Sequence, residues 1–112
     1  MNIQIFGAKK CFDTQKAERY FKERKIKYQL VDIALKGLSK GELQSVATAV
    51  GLNELINTSA KEYKVSNLEN IRNAATKEEI LLSNPKLYKT PIVRNGRQAT
   101  VGYKPEVWSE WE

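Results

Sequence analysis

The sequence predicts an α/β domain built on a mixed sheet, and three observations carry that prediction. A strand–helix–strand pattern fills the first third, a run of helical segments fills the middle, and a hairpin followed by a helix closes the chain. Strand, helix and strand within about thirty residues make a βαβ unit, whose handedness rule sets the two strands parallel with the helix packed on the sheet. A hairpin can only add antiparallel strands, so a sheet holding both units is mixed. The expected order is βαβ, helical insertion, ββα: four strands flanked by helices.

Residues 2–6 alternate apolar and polar side chains as a strand does, and Gly7 ends the pattern. The loop Ala8-Lys9-Lys10-Cys11 leads to Asp13-Thr14, whose side-chain oxygens suit a helix start. Ala17, Tyr20 and Phe21 then share one helical face, with Lys16, Glu18, Arg19, Lys22 and Glu23 on the wet side. Tyr28 to Ile33 reads as a second strand. Ser39 with Glu42 three residues on is a capping-box pattern that opens a helix through Val50, and Gly51 ends it. Leu52, Leu55 and Ile56 predict a short helical turn, and 66–75 a further helix. Thr76-Lys77-Glu78-Glu79 reads as another helix start, carrying Ile80, Leu81 and Leu82 until Asn84-Pro85 stops it. Pro91-Ile92-Val93-Arg94 and Gln98-Ala99-Thr100-Val101 flank Asn95-Gly96, a strong hairpin signal. Pro105-Glu106 starts a last helix bearing Val107, Trp108 and Trp111. Tyr20, Phe21, Trp108 and Trp111 read as core and interface aromatics rather than as a binding box. The expectation is one domain over 1–112, with the helical insertion at about 38–85.

At 112 residues, 41% hydrophobic and 29% charged, the chain can bury a core without disulfides or a metal. No apolar run is long enough for a transmembrane helix, and the N-terminus lacks the apolar segment of a secretory signal, so the expected location is the cytoplasm. Cys11 is the only cysteine and histidine is absent. An intramolecular disulfide, a cysteine-rich metal site, and Cys–His or Ser–His–Asp catalysis are thereby excluded, and no metal is expected. A net charge of +6 draws anions, with Lys9-Lys10, the stretch Lys22 to Lys27, and Arg94 with Arg97 as the contributing clusters. No basic stripe interleaves with aromatics, so direct nucleic-acid binding is not expected. Cys11 has two readings. It is a small buried hydrophobe, or, placed at the opening of a helix beside Lys9 and Lys10, it is a thiol held toward its anion by unpaired N–H groups and local positive charge.

Several segments together resemble the ArsC/Spx/YffB family of arsenate-reductase-like, thioredoxin-fold proteins. They are Phe6-Gly7-Ala8-Lys9-Lys10-Cys11-Phe12-Asp13-Thr14-Gln15-Lys16-Ala17, Leu55-Ile56-Asn57-Thr58, Leu82-Ser83-Asn84-Pro85, Thr90-Pro91-Ile92-Val93 and Val101-Gly102-Tyr103. The resemblance spans essentially the whole chain. It implies a thioredoxin-like fold, Cys11 as the reactive thiol, and Pro91 as a proline, commonly cis, that begins the third strand and faces that thiol. It also implies thiol oxidoreductase chemistry on a small substrate such as arsenate, with no bound cofactor. Glutathione is then the co-substrate, and glutaredoxin or thioredoxin the protein partner. With one thiol, Cys11 has to borrow its second from such a partner. Thr14 would hydrogen-bond the thiolate or cap the first turn, Thr90 and the N–H of Ile92 would pair with an extended thiol substrate, and Lys9 and Lys10 would attract its carboxylates. The chain departs from the family pattern at four places. Thr14 stands where Spx-type members often carry a second cysteine, and Ser59, Thr90 and Tyr103 stand where oxyanion-holding arginines are usual. Lys61, Lys89, Arg94 and Lys104 are the nearby cations. The alternatives to the enzyme are a Spx-like regulator that binds RNA polymerase and a non-catalytic member.

Overall fold

The computed structural model describes residues 2–111. Strand β1 (Ile3–Gly7) leads through the Cys11 loop to α1 (Phe12–Glu23), which returns the chain to β2 (Tyr28–Asp32). Helices α2 (Ile33–Lys36), α3 (Lys40–Val50), α4 (Lys61–Val65) and α5 (Ala74–Ser83) follow, then β3 (Ile92–Asn95), β4 (Gln98–Val101) and α6 (Pro105–Trp108). The sheet order is β2-β1-β3-β4. Strand β1 runs parallel to β2 and antiparallel to β3, with Ile5 opposite Leu30 on one side and Val93 on the other. Strand β4 is antiparallel to β3 and forms one edge, β2 the other. This mixed four-stranded sheet flanked by helices is the thioredoxin-like arrangement expected above.

Alternation along the strands sorts the core into two layers. Ile3, Ile5 and Val93 face α1 and the C-terminal segment, where Ala17, Tyr20, Phe21, Trp108 and Trp111 close over them. Phe6 and Ile92 point the other way, into a larger layer that Leu43, Val46, Leu55, Leu81 and Leu87 supply from the helical block. The four aromatics expected in the core are all there. Trp108 packs edge-on against Tyr20 at 5.2 Å, and its indole N–H donates to the buried Thr100 hydroxyl at 2.8 Å.

Several boundaries differ from expectation, each for a local reason. Strand β2 stops at Asp32, because that carboxylate caps the short α2 by accepting from the Ala34 N–H at 3.1 Å, and Ile33 becomes helical. The expected helix at 66–75 does not form. A short helix precedes it at 61–65, Asn67 takes a left-handed φ of 60°, and Asn73 then caps α5 three residues ahead of Thr76. The hairpin is shifted by one residue: Asn95 pairs with Gln98, and the two loop residues are Gly96 and Arg97. Gly96 sits at φ 61°, as the first position of a type II′ turn requires. Helix α6 is a single turn, and Trp111 lies past its end. The capping box of α3 forms as predicted, with Ser39 Oγ and the Glu42 carboxylate each accepting from the other residue's N–H.

Candidate active site

Gly7 ends β1 at the point where the chain must pass close over the first turn of α1. A Cβ there would stand 2.7 Å from Thr14 Oγ1 and collide with its methyl group, so only glycine lets Thr14 pack beneath. Thr14 is buried, and its hydroxyl accepts from the Ala8 N–H at 3.4 Å. The loop is further held by the Cys11 N–H on the Ala8 carbonyl at 3.1 Å and by the Gln15 amide on the Lys9 carbonyl at 3.1 Å. These bonds deliver Cys11 as the N-cap residue of α1, with φ −86° and ψ 116°. The sequence placed the cap at Asp13-Thr14; instead the cysteine occupies the position where a serine or aspartate would receive the first-turn amides. Phe12, the next residue, is 77% exposed.

The Cys11 thiol is half-buried and faces the turn before β3. Its Sγ lies 3.7 Å from the carbonyl oxygen of Thr90, and Thr90 joins Pro91 through a cis peptide bond. Burial pushes the thiol pKa up. The Thr14 and Thr90 hydroxyls and the N–H groups of Thr14 and Asp13 pull it down, and the net value lies below that of an ordinary cysteine. The sulfur closes no full capping hydrogen bond with the first turn, yet those amides favour its anion. The ladder of Ile92 is paired on both sides, with Phe6 and Val101, and its side chain is buried in the core. Thr90 is different: among the described residues its N–H has no backbone partner, whereas the neighbouring Lys89 N–H donates to Leu55 and the Pro91 carbonyl accepts from Gly102 at 2.8 Å each.

A cleft of about 570 Å³ opens in front of the thiol. Cys11 and Asp13 from the start of α1, Lys89 and Thr90 from the turn before β3, Val101, Gly102 and Lys104 from the end of β4 onward, and Glu54 and Asn57 from the insertion line it. Of the residues singled out in sequence, Cys11, Thr14, Thr90 and Pro91 thus come together. Lys9 and Lys10 do not join them. Lys9 lines a separate hollow of about 330 Å³ with Gln15, Leu30 and Asp32, and Lys10 is exposed on the loop. Of the four candidate cations, Lys89 and Lys104 line the cleft. Arg94 is spent on the Gly96 carbonyl and the Gln4 amide at 3.0 and 3.1 Å, and Lys61 lies outside. Glu54 and Asn57 belong to the insertion; Asn57 lies in the Leu55-Ile56-Asn57-Thr58 segment of the family resemblance and Glu54 directly precedes it, but the sequence singles out neither as a site residue. A bridge between Ile56 and Tyr88 brings them to the cleft, a long-range pairing with no short-range signal. Among the described residues no three His, Cys, Asp or Glu side chains gather as a metal-ligand group.

The ArsC family model matches residues 6–111. The chain belongs to the ArsC family. Among solved structures, it is similar to an ArsC family related protein from Bacteroides fragilis, at 27% identity, with 100% of this chain and 98% of that one covered and a TM-score of 0.83. A Staphylococcus aureus protein is 27% identical over 97% of this chain and 98% of its own, with a TM-score of 0.82. An arsenate reductase from Vibrio cholerae shares the fold, with a TM-score of 0.87 at 23% identity over 98% and 97% of the two chains. No curated protein matches in sequence. The three positions where ArsC-like arginines were expected have separate fates here. Thr90 sits at the thiol, Ser59 is exposed in a turn closed by the Asn57 side chain, and Tyr103 packs edge-on against Trp108 at 5.6 Å beneath the Lys16 ammonium.

Proposed function

We propose that this ArsC-family chain is a single-cysteine thiol oxidoreductase of the reducing cytoplasm. One observation carries the reading: a half-buried thiol at a helix N-cap, favoured as its anion by two hydroxyls and two amides, opens on a cleft large enough for a small molecule. The Cys11 thiolate attacks one sulfur of a disulfide, forming a Cys11 mixed disulfide and expelling the other half as a thiolate. A second thiolate, from glutathione or from a glutaredoxin or thioredoxin, then attacks the mixed disulfide and returns Cys11 to its reduced form. With an oxidised oxyanion such as arsenate, the two electrons come from Cys11 and the second thiol, which end joined as the mixed disulfide, while one oxygen of the anion leaves as water with the two thiol protons. Thr90 supports this reading: among the described residues its N–H has no backbone partner, and that N–H and its hydroxyl are the groups proposed to hold the incoming chain.

Mass spectrometry of the protein after incubation with oxidised glutathione tests this. The expected result is a single glutathionyl adduct on Cys11, absent in Cys11→Ser and removed by glutaredoxin with reduced glutathione. An unmodified Cys11, together with capture of RNA polymerase that is indifferent to Cys11→Ser, would replace the enzyme by the polymerase-binding reading.

A further inference from the structure

The charges around the cleft are mixed. Lys89 and Lys104 bring two cations, and Glu54 and Asp13 bring two carboxylates. Among the described residues the one ion pair is Lys16 with Asp13, at 4.0 Å, so Lys89, Lys104 and Glu54 face the cleft without having neutralised one another. Their backbones are held in place. The Asn57 N–H donates to Leu87 at 2.7 Å and the Lys89 N–H to Leu55 at 2.8 Å, bracketing the Ile56–Tyr88 bridge and setting Glu54 and Lys89 on facing strands of chain. On the other wall the Gly102 N–H is tied to Pro91, two residues before Lys104. A second hollow of about 310 Å³ shares Glu54, Val101 and Lys104 with the first and continues over Val50, Ala99 and Val107. The groove therefore runs from the thiol, past Glu54 and Lys104, to a far end that mixes Val50, Ala99 and Val107 with Thr100 and the Glu106 carboxylate.

A tetrahedral oxyanion gains nothing from Glu54, and two lysines offer point charges rather than the planar fork that grips such an anion. A ligand carrying both a carboxylate and an ammonium satisfies all three charges. We infer that Cys11 exchanges with disulfides of small zwitterionic, amino-acid-like thiols, with Lys89 and Lys104 taking the carboxylate and Glu54 the ammonium. This rests on the thiol chemistry proposed above and adds Glu54 as the residue that sets specificity. The step itself is simple exchange: the Cys11 sulfur bonds to one sulfur of the ligand and the other leaves as a thiolate, with no further reductant or oxidant.

The test measures the rate at which Cys11 reacts with cystine, with dithiodiglycolate, which keeps the carboxylates and lacks the ammonium groups, and with neutral hydroxyethyl disulfide. Each rate is divided by that of free N-acetylcysteine with the same disulfide, which removes differences in leaving group. The corrected cystine rate is expected to exceed the dithiodiglycolate rate about fivefold, the worth of one charge contact near 4 Å at an exposed site. Glu54→Gln should erase that ratio, Glu54→Asp should restore most of it, and Lys61→Gln, outside the cleft, should keep it. A wild-type ratio of one or below, or a ratio unmoved by Glu54→Gln, overturns the zwitterion reading while leaving the oxidoreductase standing. Failure of all three disulfides to modify Cys11 overturns both.

Discussion

Thr14 is the residue on which the Cys11 thiol most depends. Its backbone and its hydroxyl both lower the thiol pKa, and burial locks its rotamer between Gly7 and the first turn of α1. Thr14→Val keeps the shape and removes the donor, so the pH midpoint of iodoacetamide alkylation should move up; Thr14→Ser, which retains a hydroxyl, should move it less. The same shift has a sign in stability. Because the folded value lies below the unfolded one, the folded chain binds fewer protons at this thiol between the two. That contribution is present above the unfolded pKa and is lost as pH falls through the folded one. Urea titrations from mildly alkaline toward neutral pH should show this slope in the wild type, and Cys11→Ser should flatten it. An unchanged slope would mean that the thiol is not held as an anion.

Between β1 and α1 the close approach at Gly7 does what no side chain does alone: it sets the height of the first helical turn under the loop. Gly7→Ala should cost about 1–3 kcal/mol, the range for forcing extra volume into a packed site, and should raise the alkylation midpoint as Thr14 is displaced. Ser39→Ala tests a different element. Loss of its capping box on α3 should cost about 1 kcal/mol and leave Cys11 untouched, since α3 does not carry the thiol. Such local devices explain what could be read in advance. Alternation marked β1, Ser39 and Glu42 marked α3, Asn95-Gly96 marked the hairpin, and the loop before α1 marked the cysteine. Where two polar side chains compete to cap, as Asn73 does with the Thr76 region or Cys11 with Asp13, the backbone chose between near-equal options, and the boundaries moved by two or three residues. The far wall of the cleft was illegible for another reason. Glu54 and Asn57 reach it through pairing of the insertion with residues 87–89; the Leu55-Ile56-Asn57-Thr58 segment marked the neighbourhood, but its partner lies about thirty residues on and no local pattern announces that contact.

At the scale of the whole molecule, the sheet divides two cores that each hold a tyrosine in an unusual state. Tyr28, on the α1 side, is pushed up to about 12 by burial first and then by the Glu18 carboxylate, which accepts its hydroxyl at 3.0 Å. Tyr88, in the larger core, is raised further still, by burial and then by the charge of Glu78. Raised values stabilise the folded chain only while the phenols stay protonated: the contribution is complete below the unfolded value of about 10 and is lost as pH rises through the folded values. Alkaline unfolding is therefore expected to begin above about pH 10, and Tyr88→Phe, which removes the more buried of the two ionisable hydroxyls, should shift it to higher pH. The same substitution has a second consequence at neutral pH. Among the described residues the Tyr88 hydroxyl has no hydrogen-bond partner despite its burial, so deleting it relieves an unsatisfied group where deleting a bonded one would create another. Tyr88→Phe should therefore leave unfolding free energy unchanged or raise it by up to about 1 kcal/mol in a urea titration. A loss of stability of that size would mean that the hydroxyl is paired in solution, and that the larger core is polar at its centre.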